Sequence, residues 1–379
     1  MKFRVHSRIE EISAAQWNRL VLDNHPFTRH EFLQAMERHH CVGERFGWLP
    51  RHAALYDDNG ELLAAMPLYE KHNSYGEFVF DHAWADAYHR NGLPYYPKLV
   101  SAVPYTPACG QRLLVRPDRQ AELFPLLLEQ VLQLTRRLEC SSFHCLFPLP
   151  VEQCFLSQQL ISRHDCQFHW HNRNYVDFED FLSRLNAKKR KNIRQERRRA
   201  AASGVVIRRL DGHTASEQDW NDFNRFYAQT FRNKWGMATF NYPFFRELGQ
   251  CMPDHIFLVL ADLDGRSIAG ALMYRSDNTL YGRHWGCTVQ VDALHFEVCY
   301  YQGIEYCIEQ GLERFEPGAQ GEHKMARGFL PTRTESSHWI EDERFREAIA
   351  RFVRNEHVAI AEYIETLHAS SPYRSEPAQ

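Results

Sequence analysis

Apolar and polar positions fall into the same order twice along the chain. In the first half HAALY is followed by DDNGELLAAMPLY (Asp57 to Tyr69); in the second, HIFLVLA is followed by DLDGRSIAGALMY (Asp262 to Tyr274), and the two blocks align without a gap. Each predicts strand, turn, strand, because Asn-Gly and Asp-Gly supply the positive φ of a two-residue hairpin between strand-like runs. A third strand is expected in both halves, SYGEFVF after Asn73 and TLYGRHWGC after Asn278. A helix should follow, AWADAYHRNGL in one half and ALHFEVCYYQGIEYCIEQGL in the other. In the latter, Leu294, Val298, Tyr301, Ile308 and Leu312 recur at helical spacing and Gly311 sits at the C-terminal cap. A closing strand is then predicted at LPYYP and at LERFEP. The common order points to a duplicated α/β unit rather than a short-period array.

Between the two blocks lie a helical segment, AELFPLLLEQVLQLTRRLE, an expected strand, SSFHCLFPLP, and a polar stretch around HWHNRNY. We therefore expect a first domain over 1–165, a second over 166–370 and a flexible tail over 371–379. The second domain opens on DFLSRLNAKKRKNIRQERRRAAASGVVIRRL, which reads as one helix capped near Gly204 and then a strand. On that helix Ile193 faces the core, while Arg190, Arg194 and Arg197 form a cationic ridge. The ridge is either a solvated face or a place for a phosphate-bearing substrate.

Composition narrows the classes. The 379 residues are 44% hydrophobic and 25% charged with a formal net charge of -3, so the basic run is local and the chain as a whole is not a nucleic-acid arm. No apolar run approaches a bilayer span and the N-terminus has no signal-like core, so a cytoplasmic protein without a transmembrane segment is expected, with peripheral contact at the inner face of the membrane left open. Ten cysteines without a CxxC pair read as reduced thiols. No HExxH occurs and HxH at His169 and His171 is a weak ligand pattern, so no metal is expected.

A strand meander, a crossing helix and a further strand is the layout of a GNAT acetyltransferase, and two such units with a basic helix opening the second resemble the Fem-type peptidoglycan aminoacyltransferases. The residues that carry this are KKRKNIRQERRRAAASGV and FEPGAQ…ARGF (Phe315 to Phe329). More closely, KHNSYGEFVFDHAWADAY, YYPKL, VPYTP and LHFEVCYYQGIEYCIEQGLERFEPGAQGEHKMARGFLP are similar to a bacterial family of N-acyltransferases of peptidoglycan biosynthesis or recognition type. The resemblance implies an α/β (α+β) fold: a tandem pair of GNAT-like domains, each a mixed, largely antiparallel sheet flanked by helices, with the chemistry in the second and the acceptor groove shaped by the first. The sequence departs from the pattern in two places. The loop GCTVQVDALHF lacks the glycine-rich pyrophosphate motif of ordinary GNAT enzymes, and Ala326 stands where the Fem-type block has lysine, with Lys324 two residues earlier.

Acyl transfer to an amine needs a base, a stabilised oxyanion and an anchor for the donor. Glu316, Glu322 and His323 are the candidates for proton acceptor, His284 a further base, and Lys324 or Gln320 would face the oxyanion. Arg283, Trp285, Arg327, Tyr300, Tyr301, Lys98, Tyr75, Arg190 and Arg194 are candidate substrate contacts. The expected activity is N-acyl transfer from acyl-CoA or another acyl thioester, including acyl carrier protein, to a small-molecule or lipid amine or a cell-envelope precursor. Alternatives are tRNA-dependent aminoacyl transfer to a peptidoglycan precursor and non-catalytic recognition of cell-wall fragments.

Overall fold

A computed structural model describes residues 1–232, 236–319 and 321–374. The chain divides into two compact units: unit 1 is 1–165 with 333–362, and unit 2 is 166–332 with 363–379.

Unit 1 holds two sheets. In the first, β1 (Lys2–His6), β3 (His52–Tyr56), β4 (Leu62–Met66) and β7 (Leu114–Val115) lie side by side. In the second, β2 (Trp48–Pro50) pairs antiparallel with β5 (Tyr69–Lys71), and β5 with β6 (Lys98–Ser101). β6 then runs parallel to β8 (Ser142–Leu146), from Leu99 opposite Phe143 to Ser101 opposite Cys145. The helix Gln120–Arg137 lies in the connection between this parallel pair and buries Leu123, Leu127, Val131 and Leu134, which recur at helical spacing.

Unit 2 is an antiparallel meander that ends in one parallel step. β9 (Ile161–His171) supplies Trp170 and His171 at one side; β10 (Val206–Leu210), β11 (Ile256–Leu263), β12 (Arg266–Arg275) and β13 (Thr279–Cys287) follow in order. A helix over 294–310 crosses back, and β14 (Arg314–Glu316) runs parallel to β13 and antiparallel to β9. Trp170, Phe181, Ile193, Val259, Ala271, Leu280, Val298, Ile304, Phe315 and Phe329 share its core. The last strand, β15 (Leu330–Ile340), returns the chain to unit 1 and pairs with β8 from Ser336 to Ile340.

The fold is the expected tandem GNAT-like α/β arrangement, but four local expectations change. SYGEFVF is a loop, not a strand, because its polar groups are tied to buried lysines rather than to a neighbouring strand. The helix of unit 1 that joins parallel strands is Gln120–Arg137, whereas His82–Arg90 connects the antiparallel β5 and β6; the echo between halves therefore holds for the hairpins and not for the helices. Of the two turns, Asp264 and Gly265 both take positive φ (51° and 73°), as a two-residue hairpin requires, while in the first only Gly60 does, at 85°. Finally, the segment read as one basic helix is two, Phe178–Arg184 and Ala187–Ala202, separated where Leu185 and Asn186 are extended; the Asn186 side chain caps the second by accepting the Lys189 N–H at 3.0 Å. In the stretch read as a tail, the Asn186 N–H donates to the Pro372 carbonyl and the Tyr373 hydroxyl to the Gly328 carbonyl at 2.7 Å, and 375–379 lie outside the described residues. No helix among the described residues is long and apolar enough to cross a membrane.

Candidate active site

In unit 2 the parallel strands β13 and β14 are paired only from Thr279 opposite Arg314 to Tyr281 opposite Glu316, although β13 continues to Cys287. Beyond Tyr281 the strands part and leave a cleft. A bulge sharpens the parting: Leu272 of β12 faces His284 and Met273 faces Gly282, so Arg283 is an extra residue on β13. Such a residue is released from the ladder and its backbone groups are re-aimed. The cleft is lined by Arg283, His284, Trp285, His295, Cys299, Tyr300 and Pro317, with Ala271, Leu272 and Met273 beneath.

The crossing helix supplies a second irregularity, a π-helical turn over Glu297–Tyr301. Such turns carry an inserted residue and recur at functional sites. Here both Tyr300 and Tyr301 are buried, yet they serve different partners: Tyr300 lines the cleft and its hydroxyl meets His323 Nε2 at 2.9 Å, while the Tyr301 hydroxyl donates to Glu196 on the basic helix. Burial raises the pKa of Tyr300, so its hydroxyl stays protonated.

After β14 the chain turns through Gly318 and Gly321 into a short helix, Glu322–Arg327. Gly321 has φ 118°, and a Cβ there would lie 2.4 Å from the His323 ring, so this backbone needs glycine to seat the histidine. Lys324 is 3% exposed, and its ammonium donates to the Gly318 carbonyl at 2.6 Å. Burial lowers its pKa to about 8, with the Cys299 thiol partly opposing and Arg283 reinforcing the shift. His323 is exposed, and its pKa is lowered by partial burial and by Arg327 and Lys324.

The other candidates are placed differently. Glu316 is buried at the end of β14, 3.1 Å from Arg314 Nε. Glu322 is exposed and accepts from the Tyr363 hydroxyl at 2.7 Å. Arg327 clamps Glu196 at 2.8 and 3.2 Å, donates to the His323 carbonyl and lies 3.4 Å above the Phe296 ring centroid, which makes it a brace for the loop rather than a substrate contact. His284 lines the cleft but is surrounded by Tyr227, Phe240, Phe245 and Tyr274; burial and Arg283 push its pKa well down and leave a neutral ring. Burial pulls Arg283 to about 10. Trp285 packs edge-on against His295, whose pKa burial lowers to about 4. Gln320 lies outside the described residues. Cys299, not singled out in the sequence, lines the same cleft; burial raises its pKa well up, so it is a thiol and not a thiolate.

On the basic helix, Arg194 pairs with Glu179, Arg197 with Glu297 and Glu305 at 3.1 Å each, and Arg190 reaches the Ser183 and Leu185 carbonyls at 3.5 Å. Together with Lys191 and Arg198 these residues line an open groove of about 660 Å³ floored by Phe178, Leu182 and Ala187.

Lys98 and Tyr75 lie in unit 1. Tyr75 is 76% exposed on the loop 72–80. Lys98 is fully buried and bonds Ser74, Glu77 and Asp81, so it anchors that loop and has no face left for a ligand.

Two mixed sheets, each with a parallel step, and a bulged strand that splays from its parallel neighbour define a tandem GNAT-like protein. The chain belongs to the FemAB-like family of peptidoglycan biosynthesis/recognition, which matches residues 8–375. Among solved structures it is similar to FemX, with a TM-score of 0.56 at 11% identity over 92% of this chain and 100% of that one. It is also similar to a conserved protein of unknown function from Bacteroides thetaiotaomicron (TM-score 0.52, 12% identity, 90% and 100% covered). The C-terminal domain of a putative lysylphosphatidylglycerol synthetase from Agrobacterium fabrum gives a TM-score of 0.50 at 10% identity over 90% and 94%. At these identities the likeness concerns the fold alone. No curated protein matches the sequence.

Proposed function

We propose that the protein is a transferase that moves an acyl group from a thioester to an amine in the cleft between β13 and β14. The observation that carries this reading is the bulge at Arg283 together with a protonated Tyr300 hydroxyl, backed by His323, in the wall of that cleft; a buried Lys324, coupled to the cleft residues Cys299 and Arg283 and with a pKa of about 8, supports it. The thioester carbonyl lies along β13, where the bulge aims backbone groups away from the ladder. Lys324, in its neutral form, takes the proton of the incoming amine; a base that titrates near the working pH is the most effective kind. The amine adds to the carbonyl carbon, the tetrahedral intermediate collapses, and the C–S bond breaks. Tyr300 gives its proton to the departing thiolate and is reprotonated through His323, which faces solvent. The family assignment and the fold of FemX support a transferase of cell-envelope components. The acceptor in this reading is a small-molecule or lipid amine or an envelope precursor.

The test is thiol release from a panel of acyl-CoA and acyl carrier protein thioesters in the presence of amines. Amine-dependent release that falls by about a hundredfold or more in Tyr300→Phe supports the reading. Release that is equal in the variant removes the cleft from the chemistry.

A second donor, aminoacyl-tRNA, is favoured by one observation, the groove lined by Arg190, Lys191, Arg194 and Arg198. If it serves that donor, tRNA binding must weaken steeply with salt and with charge reversal at Arg190 and Arg194. If neither changes it, the groove is a solvated face.

A further inference from the structure

Two neighbouring residues of the basic helix Ala187–Ala202 hold the two ends of the π-helical turn Glu297–Tyr301. Arg197 grips the first residue of the turn: Nε and Nη2 donate to the Glu297 carboxylate at 3.1 Å each, and the same guanidinium reaches Glu305 at 3.1 and 3.4 Å. Glu196 grips the last, accepting from the Tyr301 hydroxyl. Burial and the Glu196 carboxylate raise the Tyr301 pKa, so that hydroxyl keeps its proton and is the donor. Between the two grips stands Tyr300, in the wall of the cleft.

A wide turn of this kind needs contacts from outside the helix. Its i→i+5 bonding is rare beside the regular ladder. Return to that ladder rotates the residues on one side of the turn by about 100° against those on the other, which would undo the present division of Tyr300 to the cleft and Tyr301 to Glu196. The Glu196 carboxylate also has a second partner. Arg327 donates to it from Nη2 at 2.8 Å and from Nε at 3.2 Å, and from Nη1 to the His323 carbonyl at 2.7 Å. The Arg327 guanidinium lies 3.4 Å above the ring of Phe296, which runs nearly parallel to the ring of Tyr300 with centroids 6.2 Å apart. One carboxylate therefore holds both the turn that carries Tyr300 and the short helix that carries His323 and Lys324. Glu196 is also the one acidic side chain among the sixteen residues of its helix, and it points its charge at these two donors. Tyr301 and Arg327 are buried, so without Glu196 each would keep a donor that lacks its acceptor.

We propose that Glu196 is a positioning residue for acyl transfer: through Tyr301 and Arg327 it sets where the Tyr300 hydroxyl and the segment bearing His323 and Lys324 stand at the cleft. The proposal rests on the reading of that cleft as the reaction site.

The experiment compares the full chain with Glu196→Gln, Tyr301→Phe and the double variant in two readouts. One is amine-dependent thiol release from the thioester on which the wild type is most active. The other is the fluorine spectrum of protein labelled with 3-fluorotyrosine, in which Tyr300 is assigned by the signal lost in Tyr300→Phe. In Glu196→Gln, kcat should fall about tenfold or more while KM for thioester and amine stays within about twofold, the pattern of a lost transition-state arrangement rather than lost binding. Tyr301→Phe should lower kcat about threefold or more, and the loss in the double variant should fall short of the product of the two because both cut one contact. The Tyr300 signal should move in both single variants. Should Glu196→Gln not fold, Tyr301→Phe decides by the same readouts. Unchanged kcat with the Tyr300 signal in place, a raised KM at constant kcat, or losses that simply multiply overturn the proposal. A wild type without amine-dependent release removes the reading of the cleft alone; the fluorine spectrum then decides, a displaced Tyr300 signal upholding Glu196 as the residue that places it and an undisplaced one overturning it.

Discussion

Two buried lysines, one in each unit, show how the same side chain becomes framework or chemistry. Lys98 bonds Glu77 at 2.8 Å, Asp81 and Ser74; burial opposes its charge, but the two carboxylates outweigh it and its pKa is raised. Lys324 has the Gly318 carbonyl at 2.6 Å, and burial brings its pKa to about 8. Burial is common to both. The difference is the carboxylates: where they are present the charge is fixed and ties down a loop, and where the partner is a carbonyl the proton can leave at near-neutral pH.

The largest expected effect breaks the first member of that comparison. Lys98→Met leaves Glu77 and Asp81 buried without their counter-ion and should lower unit stability by about 3–5 kcal/mol, read as a shift in the urea unfolding curve. A shift within error would mean that the cluster does not hold the loop.

Next in size, Lys324→Arg keeps a positive charge that cannot be lost near neutral pH, so turnover should fall by about a hundredfold or more while the unfolding curve stays close to wild type. Wild-type turnover in this variant would turn Lys324 from base to charge. The pH dependence follows from the sign of the shift. Because the neutral amine is the active form, kcat/KM should rise with pH through about 8, and the same lysine contributes stability that increases between its folded pKa and the ordinary lysine range of about 10.4.

The contrast was partly legible in the sequence and partly not. The hairpin turn at Asp264 and Gly265, the meander into β13, the cap at Gly311 and the strand before Pro317 all follow from local periodicity and turn chemistry, and their structure agrees. The GAQGEHK loop is singled out largely through the family resemblance, with its glycines and charged residues as candidates for the chemistry. Both features that make the cleft escaped, for one reason. A bulge at Arg283 and a π-turn at Glu297–Tyr301 each insert a single residue, which leaves the hydrophobic pattern on either side intact. Lys98 misled in the opposite way. In YYPKL it reads as a candidate substrate contact, and only the fold brings Glu77 and Asp81, about twenty residues upstream, to its side. Similarly, the break at Asn186 is hidden because a capping residue inside a polar run looks like any other polar residue.

The smallest effect sharpens the site's boundary. Glu322 is directed to Tyr363 and away from the cleft, so Glu322→Gln should leave turnover within about 0.5 kcal/mol of wild type, whereas a large loss would bring the outer face of the loop into the reaction.

The two lysines can be compared directly, without a choice of substrate, by following the Cε resonances of isotope-labelled lysine through a pH titration of the intact chain. The account predicts that Lys324 titrates with a midpoint near 8 while Lys98 stays protonated to the upper limit of stability. A Lys324 resonance that does not move until the ordinary lysine range of about 10.4, or a Lys98 that titrates alongside it, would contradict the claim that paired carboxylates separate framework from chemistry in this protein.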